Sequence, residues 1–265
     1  MSTTLAQAQR MGAPRAIALC QCFNGALEYQ AGHWIEAESV LRESVKLYHE
    51  IGTASGEALA LQRLGTLLTA RGQLDEAMSF FEEGVITAGR ATLRAHCLTR
   101  LYASMTRNRL MAVDLNAAEH YLALGLAMSE RHGHCATCHA LLYPAAVSLY
   151  IAQGSISLAE DFYRRLEEAA RQYQSRAWIG MARQARGELA VAQDDLGTAL
   201  NCYMEARESF KVVGNEYEAA RCLTALADIR RKRKSPGDAQ TAKSEASEAA
   251  TILERLRNTA SISKP

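Results

Sequence analysis

An alanine recurs along this chain at Ala37, Ala77, Ala118, Ala159, Ala199 and Ala239, at intervals of 40 or 41 residues. A period of that length means stacked copies of one supersecondary unit. Each copy carries a hydrophobic face that only its neighbours can cover. The text around the alanines repeats with them. Gln30-Ala31-Gly32-His33-Trp34-Ile35-Glu36-Ala37 returns as Ala70-Arg71-Gly72-Gln73-Leu74-Asp75-Glu76-Ala77 and again as Ala152-Gln153-Gly154-Ser155-Ile156-Ser157-Leu158-Ala159.

Each copy reads as two helices. The first carries apolar or small residues at i, i+3, i+4 and i+7, as in Leu61, Leu64, Gly65 and Leu68. A short turn follows, opened by Gly32, Gly72 or Gly154, since glycine tolerates the left-handed conformation at a helix end. The second helix begins near the anchoring alanine and continues as in Ala77, Phe81, Gly84 and Val85. Gly25, Gly65 and Gly187 leave room for two helices to approach, and Leu41, Phe81, Leu122 and Tyr163 are expected to fill the space beside them. Val113, Asp194 and Lys234 stand where other copies have the turn glycine, which predicts looser turns there. Composition agrees with an all-helical reading: strong helix formers dominate, aromatics are 6%, and there are only 4 prolines.

This pattern resembles the tetratricopeptide repeat in a long form of about forty residues. It is similar to arrays in large bacterial signal-responsive transcription activators (the maltotriose-sensing type) and in some multidomain adenylate cyclases. The resemblance implies an all-α, right-handed α-solenoid of helix-turn-helix repeats over residues 1–265, with a half repeat at 1–13. Repeats then span about 14–53, 54–91, 92–133, 134–173, 174–213 and 214–257, with a tail at 258–265. The half repeat is read from Leu5–Pro14, which matches Lys46–Thr53 in phase and is either a cap or the end of a preceding unit. In those larger proteins such an array is a sensor or assembly module, so the expectation is a non-catalytic binding or regulatory module of a bacterial signal-responsive regulator.

Charge and motifs narrow the function classes. With 30 basic and 29 acidic residues, formal charge is +1, and no global field favours nucleic acid or an anionic membrane. The N-terminus lacks the basic-then-apolar order of a secretory signal, and no apolar run reaches the ~18 residues of a membrane span. The 7 cysteines are therefore read as reduced thiols in a cytoplasmic protein. There is no P-loop, nucleophile elbow or dinucleotide fingerprint, and the pairs Glu82-Glu83 and Glu167-Glu168 suit solvated helix faces, so no enzyme is expected.

Two groups of residues stand out as candidate sites. The first is Arg131-His132-Gly133-His134-Cys135-Ala136-Thr137-Cys138-His139. On a helix, Cys135, Cys138 and His139 share one face at i, i+3 and i+4. Cys138 lies 21 residues before Ala159, and Cys97 lies 21 before Ala118, so Cys97 and its neighbour His96 should face that cluster from the preceding repeat. Cys97, Cys135, Cys138, His139, His96 and His134 are thus candidate ligands for zinc or another soft metal ion, or parts of a thiol-redox sensor. The plainer reading is that the thiols are small buried hydrophobes. Cys-Ala-Thr-Cys-His also fits c-type haem attachment, which would require export. Pro144 either kinks the helix that carries the cluster or opens it, in which case the cluster is a loop. Cys20 and Cys22 point apart at i, i+2, Cys202 and Cys222 read as core, and Arg230–Lys234 closes a helix where basic charge offsets the dipole.

The second group follows from phase. Stacked helix pairs give a concave face lined by the first helices. Tyr29, Gln62, Thr66, Arg100, Arg107, Ser148, Gln184, Glu188, Arg221 and Asp228 fall at its positions. Such a surface suits a protein, a peptide or a small polar ligand, with Arg100, Arg107 and Arg221 as forks for carboxylate or phosphate. Nucleic acid and membrane are not expected partners, and self-association through the end repeats is a further expectation.

Overall fold

The computed structural model describes residues 2–132 and 135–258. Among them lie thirteen α-helices and no strand. A first helix, α1 (Ser2–Arg10), precedes six pairs. These are α2 (Pro14–Gln30) with α3 (Trp34–Glu50), α4 (Ala54–Arg71) with α5 (Leu74–Ala88), and α6 (Arg94–Met111) with α7 (Leu115–His132). They continue as α8 (Ala136–Ala152) with α9 (Ile156–Tyr173), α10 (Arg176–Ala192) with α11 (Leu196–Val212), and α12 (Glu216–Arg233) with α13 (Asp238–Asn258). Two- to four-residue turns join the partners of each pair, which leaves only an antiparallel arrangement. No helix among the described residues is long and apolar enough to cross a membrane.

The turns are more uniform than the sequence suggests. Gly32, Gly72 and Gly154 take φ of 82°, 85° and 73°. Val113, Asp194 and Lys234 take the same left-handed conformation, at 60°, 62° and 57°. The closing bond is equally short: Gln73 N to Leu68 O is 3.0 Å, Asp114 N to Arg109 O is 2.9 Å, and Asp195 N to Ala190 O is 2.8 Å. The expectation of looser turns is therefore corrected at Val113 and Asp194, whereas the turn at Lys234 is longer, at four residues. Returning the second helix onto the first requires this backbone, whichever residue stands there, and a side chain there is strained. Val113 is the most strained, because it is β-branched and left-handed. Val113→Gly should raise stability by about 1 kcal/mol, a gain in strain relief partly offset by glycine's unfolded-state entropy. Urea unfolding checks this through a higher midpoint at unchanged slope.

The chain divides into two compact units, one of Met1–Tyr29 with His33–Leu142 and the other of Gln30–Gly32 with Tyr143–Pro265. In the first unit, Trp34, Leu41, Leu61, Leu64, Phe81, Leu101 and Leu122 are fully buried. Helix α4 packs on both α5 and α6, so the first helices of successive repeats lie side by side. Gly65 permits a close approach of α4 and α5: a Cβ there would overlap the ring of Phe81. In the second unit, Leu200, Tyr203, Phe210, Cys222, Leu226 and Ile229 form one cluster. A Cβ on Gly187 would stand 2.7 Å from the Tyr203 ring, the same device one unit further on.

Ala37, Ala77, Ala118, Ala159 and Ala199 are each completely buried. The sixth position departs from the pattern. Ala239 is exposed, and Ala242 is the first buried alanine of α13. Ser235, Pro236 and Gly237 lengthen the turn after Lys234, so α13 starts only at Asp238 and its inward face is shifted along the chain. In α9 the buried aromatic is Phe162, whereas Tyr163 is only partly buried and donates its hydroxyl to Glu167 at 2.6 Å. Pro144 lies inside α8 and does not open it.

Candidate functional site

Three of the residues singled out by sequence converge. Cys135 immediately precedes α8, and its carbonyl accepts from the amides of Cys138 at 2.9 Å and His139 at 3.0 Å. That first turn holds the two thiols one turn apart at the helix N-terminus. His96, near the start of α6, turns its Nδ1 toward both sulfurs, 3.4 Å from Cys135 Sγ and 3.2 Å from Cys138 Sγ. The three potential ligand atoms all lie within 4.8 Å of one another. Around them, Thr137 Oγ1 is 3.2 Å from Cys135 Sγ, and Cys138 Sγ reaches the His96 carbonyl at 3.8 Å.

The electrostatics separate the two thiols. Burial pushes Cys138 up to about 12, helped by the hydrogen bond and charge of Cys135. Burial also acts upward on Cys135, but hydrogen bonds from Thr137 and Cys138 outweigh it and hold that thiol below its ordinary value. Burial, and then the Arg100 charge, hold His96 below the usual imidazole value. The neutral imidazole is the form that can act as a ligand.

The other candidates lie elsewhere. Cys97 is buried, directs its thiol to the Ser55 carbonyl at 3.6 Å, and is pushed up to about 11 by burial. His139 is buried with its Nε2 2.6 Å from Ser129 Oγ of α7. His134 lies outside the described residues.

Of the residues placed on the first-helix face, Gln62 is buried and donates to Ser104 Oγ at 2.7 Å and Thr66 Oγ1 at 3.0 Å. Its Oε1 is buried without a partner among the described residues. Tyr29 stacks on Trp34 with ring centroids 5.7 Å apart, and Arg107 is partly buried. In the second unit, Glu188 accepts from Ser148 Oγ at 2.6 Å, and Gln184 is partly buried. Arg221 pairs with the buried Glu218 at 2.7 Å, and that carboxylate is the main reason its guanidinium lies above the ordinary value. Asp228 is exposed and pairs with Arg231 at 2.7 Å.

Arg100 differs from Arg221. Its Nη1 donates to the Thr137 carbonyl at 3.2 Å, its Nε is buried without a partner, and no carboxylate among the described residues pairs with it. Burial, and after it the charge of Arg63, push its guanidinium below the ordinary value. Arg63 of α4 donates to the Cys22 carbonyl at 2.8 Å and Cys22 Sγ at 2.9 Å, and lies over the Phe23 ring at 4.4 Å. It too has no acidic partner among the described residues. Sequence phase did not single out Arg63, because a helix face cannot be told from its neighbour one residue away until the packing is known.

The MalT-like TPR region family matches residues 14–263. No curated protein matches the sequence significantly. Among solved structures, BtubC (BKLC) from P. vanneervenii is similar with a TM-score of 0.53 and 17% identity, over 91% of this chain and 95% of that one. A Rap protein, solved in complex with Competence and Sporulation Factor, is similar with a TM-score of 0.68 and 14% identity. That match covers 91% of this chain, which spans 63% of the Rap protein's length. At such identities the likenesses concern the fold. Since the family match runs through all six helix pairs, the chain belongs to the MalT-like TPR region family.

Proposed function

We propose that this chain is a non-catalytic binding module of a bacterial signal-responsive regulator, and that it takes a protein or peptide partner on the first helices of its first unit, with a carboxylate of that partner seated at Arg63 and Arg100. The observation that carries the reading is that Arg63 and Arg100, on successive first helices, each lack an acidic partner among the described residues, while the charge of Arg63 acts on Arg100. Two like charges held close on a partly buried surface repel, and a bound carboxylate removes that cost while accepting forked hydrogen bonds. Elsewhere on the first helices, as at Arg221 and Glu218, the chain supplies its own counter-charge. A solved Rap protein of similar fold holds Competence and Sporulation Factor, which supports a peptide or protein as the class of partner.

The test is an array of random peptides probed with purified protein, beside the same array with every Asp and Glu replaced by its amide and the C-terminus amidated. Binding should depend on the carboxylates. Arg63→Met and Arg100→Met keep the apolar stems and remove the charge, and together should weaken the best binder by roughly 10- to 100-fold, as loss of charged hydrogen bonds implies. Thermal stability should change by no more than about 1–2 kcal/mol, because relief of the repulsion offsets part of the bonds lost to the Cys22 and Thr137 carbonyls. Binding that ignores the carboxylates, or survives the double substitution, would place recognition elsewhere.

A further inference from the structure

The geometry points to a zinc site of three protein ligands, Cys135 Sγ, Cys138 Sγ and His96 Nδ1, with the fourth position open to water or an exogenous donor. The inference does not depend on the partner reading: Arg100 touches both sites, but it is not among the three ligands.

Three observations carry it. The first is convergence: both sulfurs approach the same ring nitrogen, at 3.4 and 3.2 Å, with all three atoms within 4.8 Å. Tetrahedral zinc has Zn–S near 2.3 Å and Zn–N near 2.0–2.1 Å, which sets S···N at about 3.5 Å. Shifts of a few tenths of an ångström would therefore admit the ion. A cysteine that only fills a core, as Cys222 does among Leu226 and Ile229, needs no imidazole at its sulfur.

The second observation is the donor set. Two sulfurs and an imidazole nitrogen select a borderline or soft ion, and exclude magnesium and calcium, which require oxygen. Binding converts both thiols to thiolates and releases two protons, leaving the ion and its two sulfur ligands neutral overall.

The third is the support around the ligands. Cys135 immediately precedes α8 and Cys138 sits on its first turn, where the helix dipole favours negative sulfur. His96 comes from a different helix, α6, so the ion would clamp two helices rather than decorate one. Thr137 Oγ1 can donate to Cys135 Sγ, and Arg100 holds the Thr137 carbonyl at 3.2 Å, fixing the loop between the two thiols. Outer contacts of this kind orient ligands in known metal sites.

The set is narrower than phase alone suggested. Cys97 faces Ser55, and His139 faces Ser129, so neither belongs to it.

The full chain, reduced with a phosphine and freed of metal, would be titrated with Co²⁺ as a spectroscopic stand-in and then with Zn²⁺. One equivalent of Co²⁺ should give tetrahedral visible bands and a near-ultraviolet thiolate band, and one equivalent of Zn²⁺ should displace it. His96→Gln should weaken binding by about 10-fold or more. The double variant Cys135→Ser with Cys138→Ser should lose the thiolate band, while Cys97→Ser should keep it. Circular dichroism would show that each variant is folded. A second measurement needs no variant: Zn²⁺ should protect Cys135 and Cys138 of the wild-type protein from iodoacetamide, and leave the labelling of Cys20 unchanged. Absence of a thiolate band in the wild-type protein, its persistence in the double variant, or labelling of Cys135 that ignores zinc would overturn the site.

Discussion

Phe81→Ala should cost about 3–5 kcal/mol of stability, the range for deleting a buried aromatic ring. The ring is fully buried on α5 and lies against Gly65 of α4, whose missing side chain makes room for it. Relaxation into the vacated space is limited, because α4 and α5 also pack on α6 and would have to leave those contacts to close on each other. In a repeat array each unit is stabilised only by its neighbours, so a cavity here weakens the interfaces on both sides. Urea unfolding measures the loss, and a value below about 1 kcal/mol would mean that the pair collapses onto itself. Gly65→Ala tests the same contact from the other side. It should be harmful in the wild-type background and better tolerated beside Phe81→Leu, with a coupling of about 0.5–3 kcal/mol between the two positions.

Asn108→Leu should cost about 2–3 kcal/mol even though the side chains are similar in size, because it strands buried acceptors. Asn108 is fully buried on α6. Its Nδ2 donates to Thr69 Oγ1 at 3.0 Å and to the Leu74 carbonyl at 3.0 Å, and its Oδ1 accepts from Arg109 Nε at 2.9 Å. The amide therefore ties one first helix to the end of the preceding first helix and to the start of that repeat's second helix. Thr69 already donates to the Gly65 carbonyl at 2.8 Å, so its oxygen has an acceptor position that only Asn108 fills. Arg109→Met, which removes the two N–H groups that Arg109 donates to the amide oxygen, should cost less, about 1 kcal/mol, because Arg109 is only part-buried and water can reach its place. Equal effects from the two substitutions would show that the Arg109 contact, and not the bridge to Thr69 and Leu74, carries the stabilisation.

The two sites show why phase resolves a fold better than it resolves a site. The first-helix pattern places Leu61, Leu64 and Leu68 inward, and all three are buried, because an apolar stripe more than 100° wide tolerates an error of one residue. A ligand set has no such tolerance. His96 and Cys97 are adjacent in sequence and about 100° apart around the helix. One meets the sulfurs of Cys135 and Cys138, and the other meets Ser55. The shared face of Cys135, Cys138 and His139 requires all three to lie within one helix, yet Cys135 stands just before α8. The backbone bond between Cys135 and His139 is made, but the Cys135 side chain leaves from the residue before the helix and meets His96, while His139 meets Ser129.

By itself the sequence determined the all-helical class, the pairing of helices and the inward alanines from Ala37 to Ala199, because helix periodicity and turn chemistry are local and each repeat states them again. It also carried the contact of Gly65 with Phe81, which a fixed spacing within one repeat reproduces. Only the tertiary structure decided that Ala242 replaces Ala239, that Arg63 and Arg100 have no acidic partner among the described residues, and that Asn108 bridges two repeats. Those outcomes depend on where each helix starts and how far it is rotated against its neighbour. Packing between repeats sets both quantities, and no single repeat contains them.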